Sequence, residues 1–322
     1  MTRIAILDDW QGYAEQAVDW APLRARAEVV FLRGHHADPA GLAAAAGPVD
    51  ALVAMRERSV IGAALLDALP GLKLVSYTGP RNASVDLAAC AARGITVCNT
   101  AAGRSGHATA ELALGLLLAC ARNLALGDAE MRAGRFQRNV APGVELAGGV
   151  LGIIGLGRIG GTMARYGRAL GMEVLAWSQN LTDERAAEAG ATRVAKEALL
   201  ERADAISLHL VLSPRSAGVI GAGEIARLKP GCIIVNTSRG PLIDQAALLA
   251  ALHAGRVRAG LDVYDAEPVG PGHPILAAPN TVLAPHLGYA TSENLRDFYA
   301  ASLENLLAWL DGAPIRVVNS AP

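Results

Sequence analysis

The 322-residue chain is predicted to be α/β, built from two doubly wound parallel-sheet domains. Three observations carry that prediction. Short apolar runs rich in Ile, Val and Leu recur along the chain, as strands buried on both faces do. Ala- and Leu-rich stretches of helical length separate them, giving a βαβα order whose connections are crossovers. Near the middle, Gly155-Leu156-Gly157-Arg158-Ile159-Gly160 stands between one such run and a helix.

Over residues 1–100 the strand candidates are 4–7, 28–32, 51–55, 72–77 and 95–98, with helical segments such as 62–69 and 85–93 between them. This is one flavodoxin-like domain. The stretch 107–123 carries Ala and Leu on most faces, so it suits a helix buried between domains or subunits rather than a surface helix. His107, ahead of Ala108-Thr109, belongs to the start of that helix.

A second sheet begins at Val150, Leu151, Ile153 and Ile154, an apolar strand that runs straight into the glycine turn. The turn fits G-x-G-x-x-G. Gly155 permits the bend, Gly157 lets backbone N–H groups approach a pyrophosphate, and Gly160 allows close helix-strand packing. A helix over 158–170 aims its positive end at that phosphate, Gly171 stops it, and 173–177 forms the next strand. A Rossmann dinucleotide site follows, with Gly155, Gly157, Arg158, Ile159 and Gly160 as cofactor contacts. At the end of its second strand, where an acid commonly holds the ribose 2′-hydroxyl, stand the neutral residues Ser178, Gln179 and Asn180. The nearest arginine is Arg185. Discrimination at the 2′ position is therefore expected to be weak, with NAD(H) favoured over NADP(H).

Further strands are read at 205–210, 232–236, 259–263 and 281–284, with helices at 245–253 and 292–310 and a short apolar segment at 315–318. The tail is too short for a domain and is expected to pack back on the first one. The predicted organisation is thus a substrate domain over 1–102, completed by 290–322, into which a Rossmann domain over 103–289 is inserted.

Composition narrows the function. A formal net charge of −1, with Lys and Arg scattered, leaves no electrostatic footprint for nucleic acid or an anionic membrane. Cys90, Cys98, Cys120 and Cys232 stand apart without metal-ligand spacing, so no metal site and no disulfide framework are expected. The chain enters a strand almost at once, and its longest apolar run, 112–121, is too short to span a bilayer. A cytoplasmic protein acting on a small molecule is expected. The chain ends at Pro322 without room for a further regulatory domain, so feedback control is not expected.

Open α/β sheets place ligands at the C-terminal ends of their strands. Three loaded segments follow the later strands: Thr237-Ser238-Arg239-Gly240, Tyr264-Asp265-Ala266-Glu267-Pro268 and Pro285-His286-Leu287-Gly288. Taken singly, Arg239 reads as a surface cation, Glu267 as a solvated acid and His286 as a capping residue. Their joint placement beside a dinucleotide turn makes them candidates for catalysis.

With these residues in hand, the chain resembles the D-isomer-specific 2-hydroxyacid dehydrogenases from about residue 50 to 300. The resemblance rests on residues 151–160, Asn236-Thr237-Ser238-Arg239-Gly240, Leu261-Asp262-Val263-Tyr264 through Glu267-Pro268, and Pro285-His286-Leu287-Gly288. It implies an NAD(P)-dependent oxidoreductase acting on a small 2-oxo or (R)-2-hydroxy acid, with Arg239, Glu267 and His286 catalytic. It also implies Thr237 and Asp262 in the cofactor-binding set, Asp262 supporting the loop rather than reacting, and a homodimer. His286 would exchange a proton with the substrate oxygen, Glu267 would fix its tautomer and pair with the imidazolium, and Arg239 would grip the carboxylate. His209, at another strand end, is given a structural role.

The substrate loop departs from the family. It reads Thr78-Gly79-Pro80-Arg81-Asn82-Ala83-Ser84, where Pro80 removes a donor while Arg81 and Asn82 add side chains. Gly79, Arg81 and Asn82 are the expected substrate contacts, together with Arg56 from Met55-Arg56-Glu57-Arg58. Arg58 lies in the same loop, with solvated surface charge as the competing account. Two rival functions use the same fold: a nucleotide-sensing binding protein of the corepressor type, and a formate or phosphite dehydrogenase. The intact trio argues against the first. Glu267 argues against formate, whose oxidation moves no hydroxyl proton.

Overall fold

The computed structural model describes residues 1–319 apart from Ala37, Ala102, Arg104 and the side chain of Ser105. The chain divides into two compact units, Met1–Ser105 with Ala290–Pro322, and Gly106–Tyr289. The boundary expected at Ala102 and the tail end at 320–322 lie outside the described residues.

In the first unit the strands are β1 (Thr2–Ile6), β2 (Ala27–Phe31), β3 (Ala51–Ala54), β4 (Leu74–Tyr77) and β5 (Thr96–Asn99). They form a parallel sheet in the order β2-β1-β3-β4-β5, as in flavodoxin-like folds. Every residue of β3 and β4 is buried, which is why these strands read as apolar runs, broken only by Ser76 in β4. The long helix Ser292–Leu310 buries Leu295, Phe298, Tyr299 and Leu306 in this unit, with Trp20 set edge-on to Tyr299 at 6.2 Å. Buried Asn305 is satisfied, donating to Ser76 Oγ at 3.1 Å and to the Asn99 carbonyl at 2.9 Å. Segment 315–318 makes no strand of its own. Val317 forms a single antiparallel bridge to Cys98, and the Val318 N–H donates to the Val97 carbonyl at 2.8 Å.

The second unit holds β6 (Val150–Ile154), β7 (Glu173–Trp177), β8 (Thr192–Arg193), β9 (Ala205–Leu208), β10 (Cys232–Asn236), β11 (Val257–Leu261) and β12 (Thr281–Leu283). All pair parallel, in the order β12-β11-β10-β9-β6-β7-β8. The winding reverses between β6 and β9, so a crevice for ligand opens at their C-terminal ends. Helix Ser105–Ala121 packs Ala113, Leu116, Leu117 and Cys120 against Leu151, Ile153 and Val235 of the sheet, leaving His107 in its first turn and exposed. The helix expected to run to residue 123 ends at Ala121, because Asn123 takes a left-handed conformation that starts Leu124–Arg132.

One strand is displaced from its predicted place. The run expected at 259–263 is hydrogen-bonded over Val257–Leu261, pairing Leu261 with Asn236. Val263 is buried without being in the ladder, so its apolar character extended the sequence pattern two residues too far. The shift matters. It places Asp262 just past the strand end, in the loop that follows β11.

Candidate active site

The phosphate turn is built as the sequence requires. Gly155 has φ 101°, and a β-carbon there would come within 2.7 Å of the His209 backbone. At Gly160 a β-carbon would strike the Gly155 carbonyl, so helix Arg158–Ala169 can seat on the strand only with glycine there. Gly157 is different. It is exposed and has open space on its side-chain face, and as N-cap it offers no side chain to the first helical N–H groups. Those donors and the helix dipole make a site for an anion. Ile159 is half-buried, and Arg158 is exposed with its Nε set where a side chain on Gly106 would otherwise stand. Thr237, at the end of β10, is buried and its Oγ1 has no hydrogen-bond partner among the described residues. An open anion cradle at the end of β6 and an orphaned hydroxyl at the end of β10 in the same sheet fit a dinucleotide.

At the end of β7, Ser178 is half-buried and Gln179 exposed. A cation that local sequence did not reveal lies nearby. Lys196 Nζ sits 5.8 Å from the Trp177 ring centroid, and Glu224 already pairs with it at 2.7 Å. His209 is half-buried, with its Nδ1 shut away from solvent and its Nε2 2.9 Å from Ser207 Oγ, and desolvation pushes its pKa down to about 4. It is therefore a neutral imidazole at physiological pH.

Of the expected catalytic residues, Glu267 and His286 meet directly. His286 Nδ1 lies 2.5 Å from Glu267 Oε2, with the two side chains 28% and 30% exposed. The second oxygen, Glu267 Oε1, accepts the Tyr264 N–H at 2.8 Å. With Nδ1–H donated to the carboxylate, Nε2 is the nitrogen left for chemistry. His286 holds φ 56°, a left-handed conformation that costs a non-glycine residue energy. The reason it persists is Asp262. Fully buried, it accepts the Leu287 N–H on Oδ1 at 2.6 Å and the Gly288 N–H on Oδ2 at 2.8 Å, gathering the turn behind the histidine. Burial pushes the Asp262 pKa up to about 6, against the pull of those two donors and of the His286 charge. The third residue, Arg239, is half-buried at the end of β10. Its loop is fixed by Asn236, which donates from Nδ2 to the Arg239 carbonyl at 2.9 Å and accepts the Ser238 N–H at 3.0 Å.

The first unit gathers three of the four expected substrate-binding residues, and again one of them works by lacking a side chain. Gly79 has φ 92°, donates its N–H to Thr100 Oγ1 at 2.8 Å, and leaves the space that the Arg56 guanidinium fills. Arg56 itself has φ 52°; its N–H donates to Thr78 Oγ1 at 2.9 Å and its carbonyl accepts from Asn82 Nδ2. Arg56, Gly79 and Asn82 therefore form one cluster, while the Arg81 side chain points into solvent. Arg58 is more than surface charge. It stacks 4.3 Å from the Trp10 ring centroid and donates to the Asp8 carbonyl at 2.5 Å. Asp8 and Trp10, at the end of β1, carried no sequence signal for this contact.

The comparisons with known proteins point the same way. Residues 114–288 match the model of the D-isomer specific 2-hydroxyacid dehydrogenase, NAD binding domain. The chain is 35% identical over 271 residues to a D-3-phosphoglycerate dehydrogenase of Archaeoglobus fulgidus, covering 84% of this chain and 51% of that protein. It is 37% identical over 276 residues to a glyoxylate reductase of Korarchaeum cryptofilum, covering 84% of this chain and 82% of the other. This chain thus spans about half the length of the phosphoglycerate dehydrogenase it matches. The crystal structure of a phosphoglycerate oxidoreductase from Vibrio cholerae superposes with a TM-score of 0.91 at 35% identity, covering 97% of this chain and all of that one. With the glycine turn, the paired Glu267 and His286 and the Arg239 loop in place, the chain belongs to the D-isomer-specific 2-hydroxyacid dehydrogenase family.

Proposed function

We propose that this protein transfers hydride between a nicotinamide cofactor and C2 of a small 2-oxo or (R)-2-hydroxy acid, with His286 as acid and base. The observation that carries the reading is the 2.5 Å contact between His286 Nδ1 and Glu267, in the same unit as the phosphate turn. The cofactor, when bound at Gly155, Gly157, Arg158, Ile159 and Gly160, supplies or takes the hydride. The proton is the protein's task. In reduction, His286 Nε2 gives its proton to the carbonyl oxygen as negative charge grows there, and the Glu267 carboxylate stabilises the imidazolium beforehand. In oxidation the same nitrogen removes the hydroxyl proton. Arg239 presents a planar fork that suits a carboxylate and polarises the ketone. Arg56, Arg81 and Asn82 are assigned to holding the substrate, with Gly79 making room for Arg56.

The cofactor reading is NAD(H) ahead of NADP(H), with weak discrimination. Ser178 and Gln179 are neutral, so no carboxylate repels a 2′-phosphate, and Lys196 is already neutralised by Glu224. We also read the protein as a homodimer, supported by Leu124, Leu126, Met131 and Phe136, which are 46% to 72% exposed over one short stretch of chain. A cytoplasmic location is supported by four free, buried cysteines.

A panel of 2-oxo acids, followed by NADH and NADPH absorbance, tests the reading. Turnover of at least one member is expected, with kcat/KM for the two cofactors within about 100-fold of each other. Cofactor binding without turnover of any member overturns it in favour of a binding protein. A preference beyond about 1000-fold means that another residue reads the 2′ position.

A further inference from the structure

We propose that Tyr264 is a positioning residue that ties the three loops carrying Arg239, Glu267 and His286 to one another, a role that rests on the function proposed above. Tyr264 lies three residues beyond the end of β11 and serves each loop with a different part of itself. Its N–H donates to Glu267 Oε1 at 2.8 Å, which leaves Oε2 turned to the histidine. Its backbone carbonyl lies so close to Gly240 that no side chain fits between them, fixing the loop on which the adjacent Arg239 sits. Its hydroxyl has two acceptors, the Leu261 carbonyl at 3.3 Å and, nearer, the Ala284 carbonyl at 2.9 Å, to which it donates.

The last contact is the informative one. Ala284 is two residues before His286, and Pro285 between them has no N–H with which to anchor itself. The Ala284 N–H donates to the Leu261 carbonyl at 2.8 Å, so the tyrosine hydroxyl completes the hold on the residue from which the histidine turn departs. Asp262 secures the far side of the same turn through Leu287 and Gly288. His286 is thus suspended between a carboxylate behind it and a phenol ahead of it. Burial, and then the charges of Asp262 and Glu267, push the phenol pKa well up. The hydroxyl therefore remains a donor across the working pH range and never competes with His286 for the proton.

Tyr264→Phe keeps the ring and all backbone contacts and removes only the hydroxyl. Loss of one such hydrogen bond predicts a fall in kcat of about five- to tenfold. Cofactor Kd is expected to stay within about twofold, and the solvent deuterium isotope effect on kcat to rise, because proton transfer from a less constrained imidazole becomes slower. Unchanged kcat overturns the proposal, as does a fall matched by equal loss of cofactor affinity with no change in the isotope effect. A second measurement does not depend on turnover. In protein with ¹⁵N-labelled histidine, the downfield Nδ1–H resonance of His286 should shift or broaden in Tyr264→Phe, as it should in Glu267→Gln. An unmoved resonance in Tyr264→Phe overturns the proposal. If wild-type protein reduces no 2-oxo acid while the resonance still responds, the proposed function fails and the positioning role of Tyr264 stands.

Discussion

Replacing Asp262 by Asn tests what holds the histidine turn. The wild-type carboxylate is fully buried and accepts two backbone N–H groups, from Leu287 at 2.6 Å and Gly288 at 2.8 Å. Its pKa is raised by burial from 3.8 to about 6, a shift of roughly two units, or about 3 kcal/mol by which the folded state disfavours the charged form. The sign follows from proton binding. Because the folded pKa lies above the unfolded one, the native state holds the proton longer, so stability from this group is present below about pH 4 and is lost as the pH rises to about 6. Asn has no proton to lose, so this loss is absent from the variant. Its single amide oxygen can accept only one of the two N–H groups, which costs about 1–3 kcal/mol at every pH. The variant should therefore be less stable than wild type at acid pH, and the difference should move by about 3 kcal/mol in the variant's favour on going to pH 7, closing or reversing the gap. Urea unfolding of both proteins at half-unit steps between pH 4 and 7.5 measures the difference directly. A stability difference that stays flat with pH would refute the reasoning.

Two further substitutions probe the other elements. Gly160→Ala puts a methyl group onto the Gly155 carbonyl; overpacking of this kind costs about 1–3 kcal/mol, and cofactor Kd measured by fluorescence titration should weaken by tenfold or more. Unchanged affinity would mean that the turn does not hold the phosphates. Arg81→Ala should raise the Michaelis constant for the 2-oxo acid far more than it alters cofactor binding, and a neutral result returns Arg81 to the solvent-facing role its exposure suggests.

Much of this could be read from sequence because the relevant signals are contiguous. The five strands of the first sheet lie within two residues of their expected places, since buried parallel strands are short apolar runs with little else to imitate them. Helices 245–253 and 292–310 have their expected bounds, because Asp244 and Thr291 cap them with side-chain hydrogen bonds. Two-residue, exposed β8 left no pattern to find. The proximity of Glu267 and His286 was legible, since both follow strands of one sheet. What holds them was not. The Asp262 contacts to Leu287 and Gly288 span 25 residues or more, and the phenol of Tyr264 reaches Ala284 across 20. Arg58 finds Asp8 across 50, and Lys196 finds Glu224 across 28. Such pairs are set by strand order and loop path, and no local spacing encodes them. The left-handed backbone at Arg56 is equally silent, because arginine is not a residue type that announces a positive φ, and at His286 the leaning of histidine toward that region marked no position by itself.

The assignment of His286 as the proton-transfer group is tested most directly by His286→Ala, with steady-state turnover and cofactor affinity measured on the same preparation. Loss of a positioned general acid predicts a fall in kcat of about 100- to 10,000-fold for the best 2-oxo acid, while cofactor Kd stays nearly unchanged. Turnover within a few-fold of wild type, or a loss of cofactor binding equal to the loss of rate, would contradict it.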